Sequence, residues 1–263
     1  METNERELSQ EQLDNLAIID QMLEENASYT CVDDTTARFK SAEWFEKVQE
    51  SNILLAGVGG IGSWLTLLLS RMKPKNLYIM DGDTVEMVNM SGQLYSTNDI
   101  GKLKVDAIAD TCIGYSNYYS IMSMGTNFTE ESEAYDIMIC GFDNMAARKL
   151  YFYKWLDRIK KKPINERKNC LFIDGRLNAE KFQVISITGE DYYGMKKYIN
   201  DFLFDDTAVT DALCSYKQTT YCAAMIASFM CNVFINFMCH SDARPVLFFQ
   251  EYDAELMCLK QES

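Results

Sequence analysis

The chain has 263 residues, with 39 Asp and Glu against 25 Lys and Arg, a formal net charge of −14 and 48% hydrophobic residues. That length and apolar content suffice for a buried core, in one large α/β domain or two small ones, and a surface this acidic excludes nucleic acid as the main partner. The 3 prolines and 13 glycines exclude long disordered tracts, and the 9 cysteines, none spaced C-x-x-C, exclude a zinc ribbon and point to a reducing compartment.

The N-terminal Met-Glu-Thr-Asn-Glu-Arg-Glu is polar and acidic, unlike a signal peptide, so a cytoplasmic location is expected. Residues 10–25 read as a polar-faced helix and 41–50 as a short helix with Ser41 as N-cap, together an N-terminal helical arm over 1–50. Strand candidates follow at 52–56, 76–80, 119–123, 136–140, 170–174 and 181–187, with helix candidates between them at 61–72, 102–112 and 144–160. This alternation predicts an α/β, Rossmann-like fold, a mostly parallel sheet with helices on both faces. The runs 170–174 and 181–187 are separated by a short Gly-Arg-Leu-Asn-Ala turn, which predicts an antiparallel edge. Residues 189–213 are acidic and aromatic and read as a surface crossing, part of a loop over 189–217. The mostly apolar stretch 219–239 contains Ser228, Asn232 and Asn236 and has no basic residue at its near flanks, so it reads as a buried helix with His240 at its end, not a membrane span. There are no internal repeats, and 1–263 reads as one domain.

The chemistry is concentrated at strand ends. Ile53-Leu-Leu-Ala-Gly57-Val-Gly59-Gly60-Ile-Gly62 is an apolar run ending in G-x-G-x-x-G, followed by an apolar helix-length stretch. The next strand candidate ends in Asp81-Gly-Asp83. Strand, glycine turn, helix, strand and acid, in that order, form a nucleotide-binding βαβ unit. The glycines allow a sharp turn and let backbone N–H groups approach a phosphate at a helix N-terminus. The carboxyl edge of such a sheet gathers Asp81, Asp83, Asn89, Gln93, Lys104 and Asp143. A dehydrogenase has no need of a lysine beside the phosphates; nucleotidyl transfer does, because the α-phosphate gains charge as a carboxylate attacks it. An aspartate at a strand tip can hold Mg²⁺ with phosphates completing the shell.

Four motifs in order, Gly57-x-Gly59-Gly60-Ile-Gly62-Ser, Asp81-x-Asp83-x-Val with Asn89 and Gln93 beyond, Gly101-x-x-Lys104-Val, and Asp143-Asn144-x-x-x-Arg148, resemble the ThiF/MoeB/ubiquitin-activating superfamily over roughly residues 35–240. The resemblance implies an adenylyltransferase that uses ATP and Mg²⁺ to activate the C-terminal carboxylate of a ubiquitin-like or sulfur-carrier protein, or of a peptide, and that works as a homodimer or heterodimer. It implies a phosphate turn at Gly57, Gly59, Gly60 and Gly62, and a ribose contact at Asp81. Asp83 supports the metal side, Asn89 and Gln93 contact nucleotide, and Lys104 contacts the phosphates. Asp143 is the implied metal ligand, braced by Asn144 and Arg148. At the end of the crossing, Cys214 is the implied site of a thioester or persulfide formed with the carrier; the alternative is a structural or substrate-contacting thiol.

Departures from the family pattern matter as much. Where members carry Asn-Leu-x-Arg-Gln, this chain has Asn89-Met-Ser-Gly92-Gln93, so Gly92 stands at the arginine's place. Arg38 is the candidate substitute; Arg71 reads as a solvated helix end. Loss of the arginine is also what a catalytically inactive scaffold subunit would show, and that is the main alternative. The paired C-x-x-C zinc motif is missing, and the chain ends about where the core fold is expected to end. An NAD-dependent oxidoreductase leaves Lys104 and Asp143 without a task, and a tRNA-modifying dehydratase needs a basic surface.

Overall fold

The computed structural model describes residues 34–204, 219–240 and 243–262. The chain divides into two compact units, Met1–Phe39 and Lys40–Ser263. The described part of the first is a 3₁₀ turn, Asp34–Thr36, followed by a turn in which the Phe39 amide donates to the Thr36 carbonyl. The helix expected over 10–25 lies outside the described residues.

The second unit opens with α1 (Phe45–Glu50), which is shorter than the sequence predicts. Its N-cap position is Trp44, without a side-chain cap bond, so the expected Ser41 cap is corrected: 42–45 is a turn, closed from the Phe45 amide to the Ala42 carbonyl. Phe45 and Val48 face inward. Then come β1 (Asn52–Ala56), α2 (Gly60–Met72) and β2 (Asn76–Met80). They are followed by α3 (Lys104–Ser116), β3 (Ile121–Met124), β4 (Ile137–Cys140) and α4 (Met145–Lys161). β5 (Leu171–Asn178) and β6 (Lys181–Thr188) run longer than expected, so only Ala179 and Glu180 remain as the turn between them. α5 (Tyr192–Lys197), α6 (Thr220–Cys239), β7 (Phe249–Asp253) and β8 (Cys258–Glu262) complete the order.

The eight strands of the described residues join one sheet in the order β3-β2-β1-β4-β5-β6-β7-β8. β3, β2, β1, β4 and β5 are parallel; β6, β7 and β8 add antiparallel. The antiparallel edge is therefore three strands wide, and β7 and β8 were not expected. The central strands are buried on both faces, as parallel strands must be when helices cover them. On one face Ile53, Leu55, Ile139 and Ile173 pack with Leu65 and Leu69 of α2, Ile108 of α3 and Phe234 of α6. On the other, Leu54, Met138 and Phe172 pack with Tyr151, Phe152 and Trp155 of α4 and with Met195 and Tyr198.

α6 is long and apolar enough to cross a membrane by composition, but it packs against α2, β5 and β6. Its polar residues Ser228, Asn232 and Asn236 fall four apart, and the first two are exposed, so they mark its solvent stripe. The segment 192–202, expected as a surface crossing, is instead α5 continued by a π-turn at Tyr198–Phe202. Met195 and Tyr198 are buried in the core, because the i, i+3, i+7 spacing of Met195, Tyr198 and Phe202 presents one apolar face.

Candidate active site

In this strand order β1 is followed on one side by β2 and on the other by β4, so the direction of winding reverses between β1 and β4. Ligands of open α/β sheets bind in the crevice at that reversal, outside the carboxyl ends of the strands. Three strand ends are tied together there. Gly57 leaves β1 at φ +86°, and a Cβ on it would lie 2.8 Å from the Gly141 backbone at the end of β4. The Gly57 amide donates to the Met80 carbonyl at 2.8 Å, and the Gly141 amide to the Ala56 carbonyl at 2.8 Å. A Cβ on Gly62 would overlap the Gly57 carbonyl oxygen, so the turn closes only with glycine at both places.

Asp81 locks the turn from the β2 side. One carboxylate oxygen accepts from the Val58 amide and the other from the Asp83 amide, each at 2.9 Å. The Tyr95 hydroxyl donates to the Val58 carbonyl at 2.6 Å. Burial, and then the Asp81 carboxylate, hold that hydroxyl far above the ordinary tyrosine range. α2 begins with Gly59 as N-cap and no side-chain cap, so its first amides have no intrahelical acceptor and suit an anion.

Lys104 opens α3. Its amide donates to the Asp83 carbonyl at 2.9 Å and its Nζ to Asp83 Oδ2 at 2.8 Å. The lysine is 7% exposed, whereas the Asp83 side chain is 67% exposed. Asn89 sits in the 3₁₀ turn Met87–Ser91, where its Oδ1 accepts from the Glu86 amide at 2.7 Å. Gly92 is buried and its carbonyl accepts from Trp64 Nε1 at 3.1 Å. Gln93 Nε2 lies 3.9 Å from where a Gly59 Cβ would be, and Gln93 Oε1 is buried with no hydrogen-bond partner. An orphaned acceptor beside the phosphate turn is what a nucleotide donor would satisfy.

Asp143 is exposed on the loop after β4. Asn144 donates to its Oδ1 at 3.3 Å and caps α4 by accepting from the Ala147 amide at 2.8 Å. Arg148 does not pair with Asp143. Its guanidinium bonds Asp174 in the middle of β5, the Phe142 carbonyl and, at 3.2 Å, the Gly175 carbonyl. Burial works against its charge, but Asp174 beside it raises its pKa. Asp174 also takes Arg176 Nε at 2.8 Å and the Tyr198 hydroxyl at 2.9 Å. Sequence reasoning missed this cluster; the signal was an Asp and an Arg in Asp174-Gly-Arg176, two polar residues inside a strand candidate and its turn.

Cys214 lies outside the described residues. Arg38 is an exposed residue of the first unit. Arg71 is exposed in the last turn of α2, the end away from the glycine turn. Among the described residues no group of three or more metal-ligating side chains occurs. Mg²⁺ needs none, since one or two carboxylates and substrate phosphates hold it, and exposed Asp143 fits that manner of binding.

A family model described as ThiF family matches residues 33–260. "Adenylyltransferase and sulfurtransferase MOCS3-1" of Zea mays is 32% identical over 108 residues, 39% of this chain and 23% of that protein. "Ubiquitin-like modifier-activating enzyme 5" of Caenorhabditis elegans is 38% identical over 69 residues, 26% of this chain and 16% of that protein. The chain thus matches less than a quarter of the length of these curated relatives. Of solved structures, PaaA superposes with a TM-score of 0.64 at 16% identity, covering 100% of this chain and 77% of that one. E. coli MccB with MccA-N7isoASN superposes with a TM-score of 0.63 at 13% identity, covering 98% and 80%. At such identity these two likenesses speak to the fold alone, and it is the same mostly parallel, Rossmann-like sheet. A family match that starts just before the first unit's 3₁₀ turn and runs through the glycine turn, Lys104, Asp143 and the antiparallel edge leaves one assignment: the chain belongs to the ThiF family.

Proposed function

We propose that this protein is an ATP-dependent adenylyltransferase that activates the C-terminal carboxylate of a ubiquitin-like or sulfur-carrier protein, or of a peptide. A carboxylate oxygen attacks the α-phosphorus of ATP, the bond to the bridging oxygen of the β-phosphate breaks, and pyrophosphate leaves. The product is an acyl adenylate. The attacking carboxylate is ionised at neutral pH, so the step needs no general base; the chain's single histidine, His240, is at the end of α6. What the step needs is positive charge that meets the phosphates.

The observation that carries this reading is Lys104, withdrawn from solvent and held by Asp83 at the carboxyl edge of the sheet. Gly57, Gly59, Gly60 and Gly62, with the uncapped start of α2, cradle the phosphates. Asp81 faces the ribose while holding the turn, and Asn89 and Gln93 contact the nucleotide. Asp143 holds Mg²⁺, which neutralises charge on the phosphates when bound, and Asn144 restrains Asp143. Arg38 of a partner copy in a homodimer, or an arginine of a different partner in a heterodimer, supplies the guanidinium that Gly92 cannot. The Cys214 thiolate attacks the carbonyl carbon of the acyl adenylate, the acyl–phosphate bond breaks, and a thioester forms as AMP leaves. The relatives' names, one an adenylyltransferase and sulfurtransferase and the other a ubiquitin-like modifier-activating enzyme, support the reaction class and leave the carrier open.

ATP–pyrophosphate exchange with Mg²⁺, with and without candidate carriers, tests the reading. Carrier-dependent exchange is expected, falling about a hundredfold or more in Lys104→Ala. Cys214→Ala should keep the exchange and lose a thiol-sensitive carrier adduct. Gly92 favours a second reading, an inactive scaffold subunit; ATP binding without exchange for any carrier or partner subunit would select it.

A further inference from the structure

We infer that Asp174 is a positioning residue that sets the loop bearing Asp143, acting through Arg148. The inference rests on the assignment of Asp143 to the metal. Asp174 pairs in register with Cys140, the last residue of β4, and its side chain is fully buried. The chain leaves β4, passes through Gly141, Phe142 and Asp143, and enters α4 at Met145. Arg148 reaches back from α4 across that loop. It donates to the carbonyl of Phe142, the residue just before Asp143, and to Asp174 and the Gly175 carbonyl on the neighbouring strand. The path of the loop is thereby fixed to the middle of β5, at the level where β4 ends.

Asp174 is itself held from the far side. Its second oxygen accepts from Arg176 Nε and from the Tyr198 hydroxyl. Arg176 is held in turn: its Nη2 donates to the Phe202 carbonyl at 2.9 Å, and its guanidinium lies 5.8 Å from the Tyr198 and Phe202 ring centres. Two guanidiniums on one buried carboxylate make a costly arrangement, and apolar side chains would fill the space more cheaply. What the ions add is direction, since each hydrogen bond fixes an angle as well as a distance. Groups that orient a metal ligand in this way typically change metal affinity 10–100-fold when removed.

Mn²⁺ binding to the protein with an α,β-methylene analogue of ATP, followed by electron paramagnetic resonance, tests this without turnover. Asp143→Ala should lose the bound Mn²⁺, and Asp174→Asn should weaken it about tenfold or more. Tyr198→Phe keeps the ring and removes one hydrogen bond to Asp174, so about a threefold loss is expected even if Asp174→Asn fails to fold. Trp155→Phe, in the same core layer, should lower the melting temperature and leave Mn²⁺ affinity unchanged. Equal Mn²⁺ binding in wild type and Asp143→Ala would overturn the metal assignment beneath the inference. Loss in Asp143→Ala with normal binding in both Asp174→Asn and Tyr198→Phe would overturn the inference itself, as would weakening by Trp155→Phe to the same degree.

Discussion

Lys104 and Gly57 illustrate how single residues make this edge of the sheet. Lys104 begins a helix, and its ammonium turns back to an aspartate on the preceding strand's tip. Gly57 takes a left-handed backbone at the point where two strand ends come closest. An alanine there would have to push the Gly141 backbone aside. Gly57→Ala is expected to destabilise the fold by about 1–3 kcal/mol and to weaken ATP binding; a melt and an ATP titration check both. The spacing of glycines, Asp81, Lys104 and Asp143 was legible because each belongs to a local motif at a strand end. Arg148 shows the limit of such reading. Its place in Asp143-Asn144-x-x-x-Arg148 suggested a brace for Asp143, yet its charge partner is Asp174, on another strand, and long-range pairing leaves no trace in local spacing.

At the level of elements, the central strands and the three long helices beside them were readable from alternating apolar runs. The missed α5 and β8 share a cause. α5 has six residues and β8 is polar and exposed, so neither has a periodic pattern long enough to see. The helix end at His240 was readable, and it carries a pH prediction. His240 takes the left-handed position after α6 at φ 47°. Burial, and then Lys47 and Lys168, push its pKa below the ordinary value. The unfolded chain therefore binds the proton more readily. This contribution to stability is complete above about pH 6.5 and is lost as pH falls toward the folded value. The melting temperature should fall between pH 7.5 and 5.5, and His240→Asn, which suits the left-handed position, should flatten that fall. An unchanged slope in the variant would assign the effect to other groups.

For the molecule as a whole, the sheet binds its site to its core: the tips of β1 and β4 are continuous with strands buried on both faces, and the tip of β2 with a strand that buries Leu77 and Ile79. A nucleotide seated there stabilises the folded state only, so ATP with Mg²⁺ at 100 times its dissociation constant should add about 2.7 kcal/mol. A thermal melt with Lys104→Ala as control measures this, and equal melting with and without ATP in wild type would remove the nucleotide from the site. The same architecture dictates an order of assembly. α2, which carries the glycine turn, packs against α6, and about 150 residues of chain are made between them. At ribosomal speeds of about 5–20 residues per second, the apolar side of α2 waits roughly 8 to 30 seconds for its cover. During that interval the nascent protein has its nucleotide motif complete in sequence and β1, β2 and α3 available to pack on α2, but the side of α2 that α6 covers stays open to solvent until α6 emerges.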